Sequence, residues 1–262
     1  MEKLSGYAVV LGASSGFGAA IARALARDGL DVLGVHLDRR ASLAQADAVA
    51  EDVRAAGRTA RFFNVNAVDA GKRDELLDQL AHELGGRRRG AVRVLVHSLA
   101  FGALRPLVGP EAATKAQLEM TFDVMAHSLV HWTQALVERE LLAEGGRVFA
   151  LTSSGAKRTL PHYGPVGAAK AALEAYVRQL AFELAPRHIA VNALRAGITD
   201  TPAARRIPGN EAMLSVQAAR HPAGRLTTPE DVAELVALLA RPGARWLTGD
   251  VLGVDGGEDN LP

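Results

Sequence analysis

Short apolar segments alternate with longer segments of helical periodicity along the whole chain, and this alternation limits the folds it can adopt. Seven apolar runs have the length of strands, and they lie at residues 7–11, 31–36, 59–63, 92–97, 147–152, 188–194 and 250–254. Six segments with helical periodicity lie between them, at residues 17–28, 42–56, 69–84, about 113–142, 165–184 and 229–240. Because the strands are almost wholly apolar, both of their faces need a cover of helices, as in a parallel sheet. The pattern predicts an α/β fold, a doubly wound parallel sheet with helices on both faces (Rossmann-type), formed by one domain over residues 1–262.

The composition narrows the classes of site and partner that the chain can have. Of its 262 residues 48% are hydrophobic, which suffices for a substantial core. The formal net charge is +1, so we expect no nucleic-acid partner. The absence of cysteine excludes disulfides, thiolate metal sites and a cysteine nucleophile. No apolar run approaches ~18 residues and the start does not resemble a signal peptide, so we expect a cytoplasmic protein without a membrane partner.

A glycine-rich turn follows the first apolar run and opens a segment of helical periodicity. Glycines let the backbone turn tightly and approach a pyrophosphate, and the free N–H groups and positive dipole end of the next helix favour an anion. The motif stands between a strand and a helix, as this mechanism requires. The sequence therefore predicts a dinucleotide site built from Gly12, Ser14, Ser15, Gly16, Phe17 and Gly18.

The spacing of these glycines, G-x-x-x-G-x-G, resembles that of the short-chain dehydrogenase/reductase family, and the resemblance extends along the whole chain. It implies a nicotinamide dinucleotide as cofactor. It also implies that Asn64 and Val65 contact the adenine. At the other end of the cofactor it implies that the backbone of Ile198 and Thr199 holds the carboxamide. The hydroxyl of Thr201 is expected to contact the cofactor as well.

The end of the second apolar run bears on the choice between NADPH and NADH. Relatives that use NAD often carry an aspartate for the ribose diol at position 36, where this chain has His36. Arg39 and Arg40 follow, and guanidinium groups bind a 2′-phosphate through charge-assisted hydrogen bonds. The negative charge of Asp38 opposes such a phosphate. The sequence favours NADPH over NADH, with plain surface charges as the alternative interpretation of the two arginines.

The fourth apolar run ends in the motif VHSLAFG, which lies where most of the family has NNAG beside the cofactor. The motif is similar to that of the enoyl-acyl-carrier-protein reductases, in which a serine and a following aromatic residue replace NNAG. The resemblance implies that Ser98, Leu99 and Ala100 line the cofactor. Core packing is the alternative for Leu99 and Phe101. We expect a structural role for His97.

Tyr163 lies seven residues before Lys170, whereas ordinary members of the superfamily place the tyrosine four residues before the lysine. That inner position is Val166, which has no proton to donate. The Tyr-x6-Lys spacing is similar to that of the enoyl reductases, most of all their type III branch. Residues seven apart in a helix point in directions about 20° apart, so both side chains should face one side.

The chemistry of a conjugated thioester explains why the tyrosine would stand further out. Hydride addition to the β-carbon of an enoyl thioester builds negative charge on the thioester oxygen, two bonds beyond the carbon attacked. A group that stabilises this charge has to stand where the enolate oxygen forms. We therefore assign Tyr163 to the enolate oxygen and Lys170 to the ribose hydroxyls, with its charge favouring the anionic state.

Other polar residues near this motif carry weaker signals. Ser153 lies seventeen residues before the lysine, the offset of the superfamily's substrate-orienting serine, and it either binds substrate or satisfies local backbone groups. Ser154 is the alternative serine. Met125 stands where many members keep an asparagine. His127 and His131 are one helical turn apart, but no carboxylate partner is evident, so we expect no metal site.

The resemblance implies reduction of the 2,3 double bond of an enoyl thioester in fatty-acid synthesis, on acyl carrier protein or coenzyme A. The alternatives are a carbonyl or alcohol oxidoreductase of the same superfamily and a nucleotide-binding regulator without catalysis. The irregular segment 201–225 is expected to form a lid over the substrate. The segment near the C-terminus, WLTGDVLGVDGG, is similar to family segments that pack in a homotetramer.

Overall fold

Seven parallel strands form one sheet in residues 3–260, the part of the chain that the computed structural model describes. The order across the sheet is β3-β2-β1-β4-β5-β6-β7, and every neighbouring pair is parallel. The strands are β1 (Tyr7–Leu11), β2 (Asp31–His36), β3 (Ala60–Asn64), β4 (Val92–His97), β5 (Leu142–Thr152), β6 (Ala190–Ala196) and β7 (Val251–Val254). The predicted doubly wound sheet is confirmed.

Helices cover both faces of the sheet. They are α1 (Gly16–Arg27), α2 (Leu43–Ala55), α3 (Ala70–Leu84), α4 (Lys115–Phe122), α5 (Ser128–Glu138), α6 (Gly164–Leu184), α7 (Asn210–Arg220) and α8 (Pro229–Leu239). Alternate residues of the central strands enter opposite cores. Val9 and Leu11 of β1 pack with α3, α5 and α6, whereas Ala8 and Val10 pack with α1, α2 and α8. Because successive residues of a strand point to opposite faces and both faces are covered, nearly every strand position is apolar.

The segment predicted as one long helix at about 113–142 consists of two helices and the start of a strand. A turn of π-helix, Asp123–His127, joins α4 to α5. The hydroxyl of Ser128 donates to the carbonyl of Val124 within this turn, an interaction that bends helices. The strand β5 already begins at Leu142, whose carbonyl accepts a hydrogen bond from Arg187.

A buried arginine joins the sheet to α8. Arg147 on β5 is 2% exposed, and its guanidinium donates to the carbonyls of Gly145, Gly146, Leu239 and Arg241. Two of these carbonyls lie at the C-terminal end of α8, where a positive charge also interacts favourably with the helix dipole. Among the described residues, no helix has the length and apolar character needed to cross a bilayer.

From β1 the chain builds the sheet outward to β2 and β3, and it then returns to the other side of β1 with β4. In doubly wound sheets, ligands usually bind in the crevice at the carboxyl ends of the two strands where the order reverses in this way. The chain leaves β1 in the glycine-rich turn and leaves β4 at Ser98, so these two loops meet. Gly12 has φ +85°, and a Cβ there would collide with the carbonyl oxygen of Ser98. Glycine is required here both for its conformation and for this approach.

Candidate active site

The glycine-rich turn has the shape that a dinucleotide phosphate requires. A Cβ on Gly18 would collide with the carbonyl oxygen of Gly12, so the start of α1 lies directly against the turn. Ser15 occupies the N-cap position of α1 with extended backbone, and its side chain makes no capping hydrogen bond. Because the first N–H groups of a helix have no partner inside it, they remain for an anion at this end of α1. Ser14 is buried, while Gly16 and Phe17 are partly exposed beside it.

Polar contacts join the ends of β2 and β3 in the region predicted for the adenosine. The Nδ1 atom of His36 lies 2.9 Å from Oδ2 of Asp38. The amide of Asp38 donates to Oδ1 of Asn64, and Nδ2 of Asn64 donates to the carbonyl of Asp38. The amide of Val65 donates to the carbonyl of His36. These contacts hold the carboxylate of Asp38 in place, and sequence reasoning had considered only its charge.

A cavity of about 330 Å³ opens at the carboxyl ends of the central strands. It brings together most of the residues predicted for the nicotinamide end and for catalysis. These are Phe17, Ser98, Leu99, Ala100, Ser153, Tyr163, Lys170, Ile198, Thr199 and Thr201. The residues predicted for the phosphates and adenosine, from Gly12 to Gly18 and from His36 to Val65, lie outside this cavity except Phe17. The two sets follow the same edge of the sheet because all of its strands are parallel.

Tyr163 is the N-cap residue of α6, and Pro165 stands in the first turn of that helix. A Cβ on Gly155 would collide with the ring of Tyr163, so the ring lies against the loop that follows β5. Burial raises the pKa of the Tyr163 phenol, and a hydrogen bond with the Ser153 hydroxyl opposes this effect. The phenol therefore stays protonated at neutral pH and can act as a hydrogen-bond donor.

Lys170 lies two turns into α6 and is buried. Its ammonium donates to the carbonyl of Leu151 at 2.6 Å and to the carbonyl of Leu99 at 3.4 Å. Burial lowers the pKa of Lys170 to about 8, although the nearby Glu174 carboxylate opposes the shift. Glu174 is held by a hydrogen bond from the hydroxyl of Thr152. The ammonium thus lies between the ends of β4 and β5, beside the cavity.

His97 is fully buried at the end of β4. Its Nε2 lies 2.8 Å from the Ser128 hydroxyl, which donates its own proton to the carbonyl of Val124. Nε2 must therefore carry the hydrogen, and burial, with the charge of Lys170, lowers the pKa of His97 to about 3. A neutral ring that fixes the π-helical turn is the structural role that this geometry supports.

Two side chains, those of Phe101 and His127, differ from what the sequence predicted for them. Phe101 is 50% exposed, so core packing, the alternative left open for it, is wrong. The guanidinium of Arg206 lies 5.1 Å from the centre of the Phe101 ring. His127 does have a carboxylate partner, since its Nδ1 lies 2.9 Å from Oδ1 of Asp123. Within residues 3–260 no group of three histidine, aspartate or glutamate side chains is placed to hold a metal ion.

Sequence reasoning missed Glu258, which lines the cavity from the C-terminal segment. Its Oε2 accepts a hydrogen bond of 2.8 Å from the amide of Ile198. Burial raises the pKa of the Glu258 carboxyl, and this hydrogen bond opposes the shift. The only sequence signal is an acidic residue directly after two glycines at the end of the last strand.

The family profile described as enoyl-(acyl carrier protein) reductase matches residues 12–258. The chain belongs to this family of short-chain dehydrogenase/reductase proteins. As a member of the family it is an oxidoreductase that depends on NAD(P)H.

Two curated relatives and one solved structure show the range of this family. The 1-cyclohexenylcarbonyl-CoA reductase of Streptomyces collinus is 34% identical over 95% of this chain and 85% of that protein. The enoyl-[acyl-carrier-protein] reductase [NADH] FabI of Aquifex aeolicus is also 34% identical, over 64% of this chain and 62% of that protein. A short-chain dehydrogenase from Burkholderia cenocepacia, solved in complex with NADP, superposes with a TM-score of 0.83. It is 31% identical, with 99% of this chain and 100% of that chain covered.

Proposed function

We propose that this protein reduces the 2,3 double bond of an enoyl thioester with NAD(P)H. The observation that carries the proposal is the pairing of Tyr163 with Lys170, seven residues apart, on one cavity. The inner position, four residues before the lysine, is Val166, whose side chain is apolar and buried. The proton-bearing group thus stands at the N-terminus of α6, further from the lysine than in an ordinary carbonyl reductase.

The roles of the side chains follow from where charge develops in the substrate. A nicotinamide cofactor supplies the hydride when bound. The phenol of Tyr163 donates a hydrogen bond to the thioester oxygen, which becomes negative as the double bond is reduced. The ammonium of Lys170 favours the same negative charge and holds the ribose. Ser153 lines the same cavity and can hydrogen-bond the phenol or the substrate.

The substrate carries its acyl group on acyl carrier protein or coenzyme A. The two relatives above are named for these two carriers, and both names describe reduction of an unsaturated acyl thioester. The apolar side chains of Leu104, Met125, Leu160 and Met213 line the cavity and suit a hydrocarbon acyl chain. A place in fatty-acid synthesis is part of the same proposal.

NADPH is the proposed cofactor, in preference to NADH. The argument is the pair Arg39 and Arg40, both exposed just beyond β2, whose guanidinium groups suit a 2′-phosphate. Asp38 lies between them and His36 and limits this preference, because its carboxylate is held in place and repels a phosphate.

The segment 201–225 and the exposed apolar residues support two further parts of the proposal. Ala203, Ile207 and Met213 line the cavity, so the segment covers the substrate as a lid on the same single domain.

Phe182 is 78% exposed on α6 and Trp246 is 94% exposed before β7. Large exposed apolar side chains favour contacts between copies of the chain, and a homotetramer is the proposed assembly.

Reduction of a carbonyl is the second candidate function. The observation that favours it is that Ser153 lines the same cavity as Tyr163, because Ser153 stands at the position of the superfamily's substrate-orienting serine. Crotonyl-CoA and acetoacetyl-CoA, each assayed with NADPH and with NADH by the absorbance of the reduced cofactor, separate the two functions. Turnover of crotonyl-CoA supports the proposal. Turnover of acetoacetyl-CoA alone replaces it with the second candidate.

A further inference from the structure

The carboxylate of Glu258 is buried in the wall of the active-site cavity. The side chain comes from the short segment 255–260, which follows β7, and it is 6% exposed. Among the described residues, the only hydrogen-bond donor to this carboxylate is the amide of Ile198. Burying a carboxylate has a free-energy cost that a single hydrogen bond offsets only in part. A buried acid with one backbone partner beside the cavity therefore needs an explanation.

The segment that carries Glu258 is anchored by polar side chains from three other elements. Arg195, near the end of β6, lies 2.7 Å from a carboxylate oxygen of Asp259. Arg158, in the loop that carries Ser153, lies 3.3 Å from the same aspartate. The ring of His221, just after α7, makes a 2.9 Å contact from Nε2 to the carbonyl of Asp255. The position of Glu258 is thus set by contacts other than its own.

The backbone that Glu258 touches lies beyond the end of the sheet ladder. β6 ends at Ala196, and the amide of Gly197 still bonds the carbonyl of Val254, but the next amide, of Ile198, faces Glu258. A Cβ on Gly197 would lie 2.8 Å from Oε2 of Glu258, so the carboxylate packs directly against this turn. The amide of Thr199 takes part in no hydrogen bond among residues 3–260 and stays free for a ligand.

We propose that Glu258 is a positioning residue: its hydrogen bond to Ile198 fixes the turn at residues 197–199, and with it the backbone groups that hold the carboxamide of the cofactor. The inference rests on the proposed function, because it takes the nicotinamide end of the cofactor to lie at this turn. It assigns Glu258 no proton transfer and no contact with the acyl group.

The reach of the side chain, and not its charge, is what this role requires. Glu258→Gln removes the charge and keeps an oxygen at the same distance from the Ile198 amide. Glu258→Asp keeps the charge but is one methylene too short to reach that amide. A positioning hydrogen bond predicts that the glutamine variant resembles the wild type and the aspartate variant is impaired. A role for the negative charge predicts the opposite order.

The experiment measures the dissociation constants of two ligands, by titration calorimetry, for the wild type and for Glu258→Gln, Glu258→Asp and Glu258→Ala. One ligand is NADPH or NADH, whichever binds the wild type more tightly, and the other is the matching ADP-ribose fragment without the nicotinamide. We expect Glu258→Ala and Glu258→Asp to weaken binding of the dinucleotide about tenfold, the scale of one lost hydrogen bond. Their affinity for the fragment should stay within twofold of the wild type, as should both affinities of Glu258→Gln. The exposed Glu234→Ala on α8 is the control for removal of an acid.

The possible results distinguish a wrong role for Glu258 from a wrong proposed function. Equal weakening of dinucleotide and fragment in Glu258→Asp would mean that the segment only supports the fold, and the inference would be overturned. Impairment in Glu258→Gln with normal binding in Glu258→Asp would overturn it in favour of a charge effect. If the wild type bound neither dinucleotide, the proposed function itself would fail. Dinucleotide binding without reduction of crotonyl-CoA would reject the proposed substrate and leave the role of Glu258 intact.

Discussion

The ring of Tyr163 lies directly against Gly155, which leaves no room for a side chain at that position. Gly155 stands in the loop after β5, two residues beyond Ser153, and its amide donates to the Ser153 hydroxyl. This loop therefore sets where the phenol points. Gly167, one turn into α6, is equally restricted, because a Cβ there would lie 2.6 Å from the carbonyl oxygen of Gly155.

Replacing Gly155 by alanine should displace the phenol and leave the cofactor site intact. We expect Gly155→Ala to lower kcat by about 100-fold, the scale of a misplaced catalytic group, with the dissociation constant for NADPH changed less than twofold. Steady-state kinetics and calorimetric titration check both values. Gly243→Ala, where a Cβ would meet nothing within 4 Å, is the control. A normal kcat in Gly155→Ala would contradict the account of how Tyr163 is held.

Removal of the phenolic hydroxyl tests the role of Tyr163 itself. Tyr163→Phe keeps the ring contact with Gly155 and loses the hydrogen bond to the thioester oxygen. We expect kcat to fall by about 100- to 1,000-fold, as for the loss of one donor to a developing oxyanion, with cofactor affinity unchanged. Equal losses of turnover and cofactor affinity would contradict the assigned role.

The lowered pKa of Lys170 predicts a pH profile. The ammonium is present below pH about 8 and is lost above it, so kcat/KM for the cofactor should decline as the pH rises through about 8. Lys170→Arg should move the decline to higher pH, because a guanidinium stays charged. Lys170→Met should remove the decline and weaken cofactor binding. A profile in the methionine variant with the same decline near pH 8 would assign that ionisation to another group.

The anchored carboxylate of Asp38 should limit the use of NADPH. Asp38→Asn removes the repulsion toward a 2′-phosphate and keeps a side chain that can bond His36. We expect the ratio of kcat/KM for NADPH to that for NADH to rise about tenfold, which corresponds to ~1.4 kcal/mol. The exposed Asp47→Asn on α2 serves as the control. An unchanged ratio would show that Asp38 lies away from the 2′ position.

The buried guanidinium of Arg147 should be a major contributor to stability. Arg147→Met removes the side-chain hydrogen bonds that the carbonyls of Leu239 and Arg241 accept. We expect the free energy of unfolding to fall by about 3 kcal/mol, measured by urea denaturation, with kcat of the folded protein unchanged. The exposed Arg178→Ala on α6 should change it by less than ~0.5 kcal/mol.

Features that depend on neighbouring residues in the sequence, such as the positions of the strands, were predictable without the structure. The apolar runs predicted the strands, because a strand covered on both faces has no polar positions to spare. The helical segment predicted at 165–184 and the spacing of Tyr163 from Lys170 predicted that both side chains would face one side, and both line one cavity. The helical period alone could not predict the π-helical turn at Asp123–His127, since it depends on a hydrogen bond that one serine makes within the bent backbone.

Contacts between distant parts of the chain were decided by the tertiary structure alone. Glu258 meets Ile198 across 60 residues, Arg206 meets Phe101, and Arg147 meets the end of α8. None of these pairs has a spacing that a sequence pattern can signal. The sequence by itself determined the order of the seven strands and the residue types at each strand end, because periodicity and backbone chemistry act locally. Which strand ends lie together, and which buried charges find partners, depends on the packing of the whole sheet.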